Sequence, residues 1–129
     1  MTSSLVAPAT VLVVDDSADT RAVLCRTLVG CGHRVVEAAD GREAVEVALR
    51  ECPDLIVMDL NMPVMDGLAA TERIRGMRER CGDMAIVAVT AFDTYGMRDA
   101  ALEAGCDAYL LKPLALDELE AVVERLLSE

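Results

Sequence analysis

The sequence contains very few aromatic side chains: of 129 residues, two are tyrosine, one is phenylalanine and none is tryptophan. It also has few basic residues, 12 against 23 acidic ones, which gives a formal net charge of −11. Proteins that bind nucleic acids directly usually need a basic surface and aromatic rings on which bases stack. Because this chain has neither, we expect no direct binding to nucleic acid.

Histidine and long apolar runs are scarce as well. His33 is the only histidine, which argues against a histidine-based zinc site and a Ser-His-Asp catalytic apparatus. The longest apolar stretch is far shorter than a membrane span, and residues 1–10 lack the regions of a signal peptide. We therefore expect a cytoplasmic protein without a membrane partner. The five cysteines include no Cys-x-x-Cys pair, so we expect small, reduced thiols.

Short apolar runs alternate with helical patterns along the chain. Strands are predicted at residues 11–14, 34–38, 55–59, 85–90 and 108–111. Runs that are apolar on both faces are typical of strands inside a parallel sheet. Five amphipathic helices follow the strands, with the third expected at about 67–77 and ended by Gly76 or Gly82. Five β-then-α units predict a single α/β domain, a doubly wound three-layer sandwich.

Three acidic residues stand at the ends of two predicted strands. Asp15 and Asp16 follow the first strand, and Asp59 closes the third. Ligands bind at the carboxyl ends of parallel strands, so we expect these carboxylates to meet. One of the first two acids, or Ser17, could instead cap the following helix. At ~4 Å and an effective dielectric constant of about 20, each like-charge pair repels by roughly 4 kcal/mol.

Such a cluster needs a proton or a cation to neutralise it. Oxygen-rich carboxylate sites suit Mg²⁺, with Mn²⁺ as an alternative. Asp59 could itself act as a nucleophile toward a phosphoryl group and form an acyl phosphate. Lys112, the only lysine, ends the fifth strand, where its ammonium could offset the acids and later pair with a phosphate. Thr90 ends the fourth strand and could donate a hydrogen bond to a phosphoryl oxygen, although a β-branched residue also simply fits there.

Taken together, these residues resemble the receiver domain of two-component response regulators. The resemblance covers about 10–127 and includes Val-Asp-Asp, Asp-x-Asn-Met-Pro-x-Met-Asp-Gly, Val-Thr-Ala and Tyr-x-x-Lys-Pro, in order and at the family's spacing. It implies a five-stranded, flavodoxin-like sandwich with strand order 2-1-3-4-5, the order of the chemotaxis receiver CheY. It divides the chain into a leader at 1–9 and a receiver domain at 10–129.

The resemblance also implies a function and a role for each site residue. The protein is expected to be a non-enzymatic signalling module that accepts a phosphoryl group on Asp59 from a histidine kinase or a phosphotransfer protein. The surface made by the fourth predicted helix, the fifth strand and the last helix is then expected to pass the signal to a downstream protein. The implied roles are Mg²⁺ binding by Asp15, Asp16, Asp59 and the backbone carbonyl of Asn61, phosphoryl sensing by Thr90 and Lys112, switching by Tyr109, and a cis peptide bond before Pro113.

Two other functions use related features. A haloacid-dehalogenase-like phosphotransferase also has an aspartyl nucleophile after a strand, but Asn61 stands where that class has a second aspartate, and no cap domain is visible. A flavodoxin-like nucleotide carrier needs a phosphate cradle after the first strand, where Asp15 and Asp16 would repel a phosphate. The start at Met1 and the complete last helix favour a stand-alone receiver over a phosphorelay shuttle or part of a longer chain.

Overall fold

The computed structural model describes residues 7–60, 66–91 and 96–128. In these ranges strands and helices alternate, as the sequence predicts. The elements are β1 (Thr10–Val14), α1 (Ala18–Gly30), β2 (Arg34–Ala38), α2 (Gly41–Glu51), β3 (Leu55–Asp59), α3 (Gly67–Arg75), α4 (Arg78–Cys81), β4 (Ala85–Thr90), α5 (Met97–Ala104), β5 (Ala108–Leu111) and α6 (Leu116–Leu127). The five strands form one sheet in the order β2-β1-β3-β4-β5, and each neighbouring pair is parallel. The predicted fold class and strand order are therefore confirmed.

Alternate residues of the central strands point into two separate cores. On one face, Leu12 of β1 and Ile56 of β3 pack with α2, α3 and α5. On the other face, Val13 and Val57 pack with α1 and α6. Burial on both faces explains why these strands read as continuous apolar runs. It also leaves the carboxyl edge of the sheet as the place where polar residues can gather.

Side-chain caps start three of the helices near this edge. Ser17 caps α1 by accepting from the Thr20 amide, and Asp66 caps α3 by accepting from the Ala69 amide at 2.9 Å. Asp40 caps α2 in the same way. Each cap satisfies an amide that has no partner within its helix. Because Ser17 caps α1, the two acids before it are not needed for that role.

The segment after α3 differs from the prediction. The helix expected to reach residue 77 ends at Arg75, and a four-residue helix, α4, follows it. Gly76 is in the right-handed region with φ −67°, whereas Gly82, after α4, has φ +81°. Because Gly76 is right-handed, the chain continues directly into α4. The left-handed Gly82 follows the end of α4, where such a glycine is common. Sequence spacing alone did not separate these two conformations.

Two cysteines also differ from the expectation of five reduced thiols. Cys52 at the end of α2 and Cys81 at the end of α4 form a disulfide, with their Cα atoms 5.1 Å apart. Cys25, Cys31 and Cys106 are free thiols. The pair is 29 residues apart in sequence, so only the packing of α4 beside the end of α2 brings the sulfurs together.

Arg75, at the end of α3, forms hydrogen bonds at the amino-terminal edge of the sheet, opposite the acid cluster's edge. Its Nε and Nη2 donate to the Gly105 carbonyl at 2.9 and 2.7 Å, and Nη2 also donates to Asp107 Oδ2 at 2.8 Å. Nη1 donates to the Met84 carbonyl. One planar guanidinium therefore links α3 to the segments that enter β4 and β5, as its fixed fork of donors allows. Within the described residues, no helix is long and apolar enough to cross a membrane.

Candidate functional site

The three predicted acids meet at the carboxyl edge of the sheet. Asp15, Asp16 and Asp59 each offer a carboxylate oxygen, and these oxygens lie within 4.8 Å of one another. Asp15 and Asp59 are almost fully buried, with 2% and 3% of their surface exposed, whereas Asp16 is exposed. The cluster therefore has two desolvated charges at its base and a third at its mouth.

The parallel register of β1 and β3 produces this meeting. Val14 of β1 pairs with Met58 of β3, so the residues that follow each of them lie side by side. The loop after β1 is then fixed by short contacts: the Ser17 amide donates to Asp15 Oδ1 at 2.8 Å, and Arg21 Nη1 donates to the Asp15 carbonyl at 2.7 Å. Arg21 is a positioning residue that the sequence analysis did not identify. Arg21 lies one turn into α1, and its side chain points back to the end of β1. The sequence alone gives no sign of this contact.

Lys112 supplies the cation that the buried acids need. Its Nζ lies 3.0 Å from Asp15 Oδ2 and 3.2 Å from Asp59 Oδ2. Burial alone lowers the pKa of Lys112, but the hydrogen bond to Asp15 and the charge of Asp59 outweigh that effect and raise the pKa. The ammonium is therefore charged at neutral pH and holds two carboxylates that would otherwise repel each other.

Thr90 and Tyr109 lie on the two strands beyond β3. Asp59 pairs with Val89, and Thr90 is the next residue along β4. Thr90 is fully buried, and its carbonyl accepts from the Lys112 amide at 2.8 Å. Tyr109 pairs with Ala88 and packs, partly buried, against the core that α2, α3 and α5 cover. The two residues are thus on adjacent strands, with Thr90 next to the acid cluster and Tyr109 farther along the sheet.

The remaining predicted site residues have different outcomes. The peptide bond between Lys112 and Pro113 is cis, as predicted. Asn61 lies outside the described residues.

Gly67, the first residue of α3, lies directly against the end of β3. A β-carbon on Gly67 would overlap the carbonyl oxygen of Asp59 and would lie 2.7 Å from the Cα of Leu60, so a larger residue cannot fit without moving backbone. The Gly67 amide donates to the Leu60 carbonyl at 3.3 Å, and Thr71 Oγ1 donates to the Gly67 carbonyl at 2.7 Å. The start of α3 is therefore set directly against the end of β3. The glycine was visible in the sequence, but this close approach was not.

The chemistry of the donor set fits a hard divalent cation. All three side chains offer carboxylate oxygens, and the exposed Asp16 leaves the mouth of the cluster open to water. Mg²⁺ prefers oxygen ligands and often keeps several waters while it binds one or two carboxylates. A small cavity of about 160 Å³ also opens beside Asp15, Asp59 and Lys112, with walls that include Leu24 and Val89. The site could therefore hold a cation and leave space beside Asp59.

Comparison with known proteins identifies the family. Residues 11–124 match the family model of the response regulator receiver domain. The chain belongs to this family.

Curated relatives agree with that assignment. The transcriptional regulatory protein PrrA of Mycobacterium tuberculosis is 44% identical over 117 residues, which cover 91% of this chain and 49% of PrrA. The response regulator MprA of Mycolicibacterium vanbaalenii is 43% identical over 120 residues, which cover 93% of this chain and 51% of MprA. The receiver chain thus spans about half the length of the curated relatives that it matches.

Solved structures support the same fold. The receiver domain of the sensor histidine kinase PA1611 from Pseudomonas aeruginosa superposes with a TM-score of 0.85 at 36% identity, covering 95% of this chain and all of that one. That structure has a magnesium ion coordinated in its active site cleft. The chemotaxis protein CheY4 of Vibrio cholerae has a TM-score of 0.85 at 33% identity, over 93% of this chain and 99% of its own.

Proposed function

We propose that the protein is a phosphorylation-controlled receiver that accepts a phosphoryl group on Asp59. The observation that carries the proposal is the buried pair Asp15 and Asp59 bridged by Lys112, with Asp16 at the mouth of the same cluster. In the transfer, the bond from phosphorus to a histidine nitrogen of the donor breaks and a bond to a carboxylate oxygen of Asp59 forms. The donor is a sensor histidine kinase or a histidine phosphotransfer protein. We place this activity in residues 10–129 and in the cytoplasm.

A carboxylate nucleophile at this position needs neutralising charge more than it needs a base. Phosphoryl transfer is governed by positioning and by electrostatic stabilisation of the oxygens around phosphorus. Lys112 already lies 3.2 Å from Asp59 and can pair with a phosphoryl oxygen once one is present. Thr90, at the adjacent strand end, is the proposed hydroxyl donor to another of these oxygens.

We further propose that Mg²⁺ is the cofactor, held by Asp15, Asp16 and Asp59 together with the backbone carbonyl of Asn61. Mg²⁺ supplies positive charge toward the phosphoryl oxygens when it is bound. We choose Mg²⁺ over Mn²⁺ because magnesium is the ion in the cleft of the PA1611 receiver. The exposed position of Asp16 makes it the acid that a hydrated ion reaches first.

Two measurements test the phosphoacceptor. Acetyl phosphate with Mg²⁺ should add one phosphoryl group to the full chain, and the product should be labile to hydroxylamine and base because it is an acyl phosphate. Asp59→Asn should abolish the labelling, while Asp54→Asn, which alters an exposed acid before β3, should leave it intact. Label found on serine or threonine, or label that persists in Asp59→Asn, would overturn the assignment.

The metal site has its own test. Millimolar Mg²⁺ should raise the melting temperature of the wild type, because a ligand that binds only the folded state stabilises it. Asp16→Asn should remove most of this rise. An equal response of the wild type and the variant would show that Asp16 is not a ligand.

We propose that the signal leaves through the surface formed by α5, β5 and α6. A phosphoryl oxygen on Asp59 would offer Thr90 a strong charged acceptor, and the Tyr109 ring would then turn toward the space that Thr90 leaves. Both ring positions must already lie within a few kcal/mol of each other, because a ligand shifts an equilibrium only by its differential affinity. The downstream partner is a protein rather than a nucleic acid.

Amide NMR with beryllofluoride as a phosphoryl mimic tests this coupling. Shifts should extend from the acid cluster to α5 and to β5, and Thr90→Ala should confine them near Asp59. Shifts that stay near Asp59 in the wild type would leave the protein a phosphate carrier without a conformational output.

The protein is proposed to be a switch and not an enzyme. A haloacid-dehalogenase-like phosphotransferase would release phosphate from a phosphomonoester in steady turnover, and we expect no such turnover. Sustained hydrolysis of a phosphomonoester that depends on Asp59 would favour that class instead.

A further inference from the structure

The disulfide between Cys52 and Cys81 lies outside the acid cluster and has no part in the function proposed above. Cys52 is the C-cap of α2, and Cys81 is the last residue of α4. Both residues are half-buried, so neither lies deep inside the core. Their Cα atoms, 5.1 Å apart, are within the range in which a disulfide forms without backbone movement.

The backbone at Cys52 is unusual for a residue with a side chain. Its φ is +45°, and it is the only residue other than glycine with a positive φ in the described part of the chain. Glycine is the usual residue at such a helix end, because a β-carbon is disfavoured in the left-handed region. Cys52 therefore occupies a left-handed position that glycine would adopt at a lower energy.

The other three thiols are poorly suited to the same chemistry. Burial, followed by the charge of Glu37, raises the pKa of Cys25 to about 11. Burial, followed by a hydrogen bond to Glu120, raises the pKa of Cys31 to about 11. Burial also raises the pKa of Cys106. Because the thiolate is the reactive form, these three should exchange slowly at neutral pH.

We propose that Cys52 and Cys81 form a reversible thiol–disulfide site whose oxidant is a small-molecule disulfide of the glutathione type. One cysteine thiolate attacks a sulfur of that disulfide, which forms a mixed disulfide and releases one small thiolate. The second cysteine thiolate then attacks the protein sulfur of the mixed disulfide and releases the other small thiolate. The two protein thiols are oxidised, the small disulfide is reduced to two thiols, and an excess of small thiol reverses both steps.

The position of the bond determines what it changes. The closed ring runs from the end of α2 through β3 and α3 to α4, so it contains Asp59. The bond itself lies before the amino end of β3, while Asp59 is at the carboxyl end, four residues or ~13 Å farther along the strand. Closing the ring should therefore stabilise the folded chain without altering the chemistry at Asp59.

The test compares the full chain in dithiothreitol and in glutathione disulfide. Alkylation with a maleimide under denaturing conditions should label all five cysteines after reduction but only Cys25, Cys31 and Cys106 after oxidation. A closed loop of 29 residues should raise the melting temperature by about 10 °C. The rate of labelling by acetyl phosphate should be the same in both buffers.

Matched variants make the outcome decisive. Cys52→Gly suits the left-handed backbone and should fold, yet it should lose the redox-dependent difference in melting temperature, as should Cys81→Ser. Cys31→Ser should keep that difference. Labelling of all five cysteines after oxidation of the folded wild type, or equal melting temperatures in the two buffers, would overturn the proposal.

Discussion

Replacing Lys112 with methionine should destabilise the protein through the two acids that it bridges. Methionine keeps most of the length and apolar contact of the lysine stem but removes the ammonium that lies 3.0 Å from Asp15 and 3.2 Å from Asp59. Both carboxylates are at least 97% buried, so their charges are poorly solvated once the ammonium is removed. The variant therefore isolates the charge at the centre of the site.

Without the ammonium, the repulsion between the two carboxylates is no longer offset, and the distance between them sets its size. One carboxylate oxygen of Asp15 lies within 4.8 Å of one of Asp59. At an effective dielectric constant of about 20, two such charges repel by roughly 3 kcal/mol. Removing the partly buried ammonium also removes its own desolvation cost, so the net loss should be about 2–3 kcal/mol. For a chain of this size, that corresponds to a melting temperature lower by about 10 °C.

Urea unfolding at neutral pH in EDTA measures this loss. Mg²⁺ should stabilise Lys112→Met more than it stabilises the wild type, because a divalent cation can offset the two carboxylates in place of the missing ammonium. Adding Asp59→Asn to Lys112→Met should recover most of the lost stability. Arg26→Met, which removes an exposed cation on α1, is the matched control and should have little effect. A Lys112→Met variant as stable as the wild type, or a double variant less stable than the single one, would refute the reasoning.

Three further substitutions test other contacts. Gly67→Ala should cost about 2 kcal/mol in urea unfolding, because its β-carbon would press against the Asp59 backbone, and it should slow labelling by acetyl phosphate. Protonation of His33 should destabilise the fold in acid. Its Nδ1 accepts a hydrogen bond from the Ala9 amide at 3.1 Å, and burial lowers its pKa below 6.5. Its contribution is complete above pH 6.5 and is lost as the pH falls through the folded-state pKa, so His33→Asn should flatten the pH dependence of stability in that window. Arg75→Lys should cost about 2 kcal/mol, because an ammonium cannot reproduce the fork that reaches two carbonyls and a carboxylate.

Gly67→Ala and Arg75→Lys each have a control in the same chain. Gly30→Ala places a β-carbon where nothing lies within 4 Å, so its stability should be close to that of the wild type. Arg42→Lys alters an exposed pair with Glu46 at 3.8 Å and should change stability by less than about 0.5 kcal/mol. Equal costs for a test variant and its control, or an unchanged acid response in His33→Asn, would contradict the corresponding contact.

The sheet and the acid cluster could be predicted from sequence because both depend on local pattern. A strand buried on both faces must be apolar at every position, so the run before Asp59 marks β3 directly. The meeting of Asp15 and Asp59 then follows from the general rule that parallel strands end at one edge. Even the contact with Lys112 was expected, since it too follows a strand.

The contacts that escaped prediction depend on packing between distant segments. The disulfide needs α4 to lie beside the end of α2, and the Arg75 contacts need α3 to lie across the segments that enter β4 and β5. A single cysteine or arginine carries no local sign of such a partner. Gly67 was visible in the sequence only as the last residue of the Asp-x-Asn-Met-Pro-x-Met-Asp-Gly motif, because its constraint is the nearby backbone of Asp59 and not its own conformation.

Lys112 also sets the order in which the site can become complete during synthesis. It is 97 residues from Asp15 and 53 residues from Asp59 along the chain, yet its side chain touches both and its amide binds Thr90. A growing chain that has released β1 and β3 from the ribosome has both acids but not yet their cation. The pocket gains its balance of charge only when β5 has been made and has paired with β4. β5 thus completes a site whose acids come from β1 and β3, so a partly made chain does not yet hold this pocket with its charges balanced.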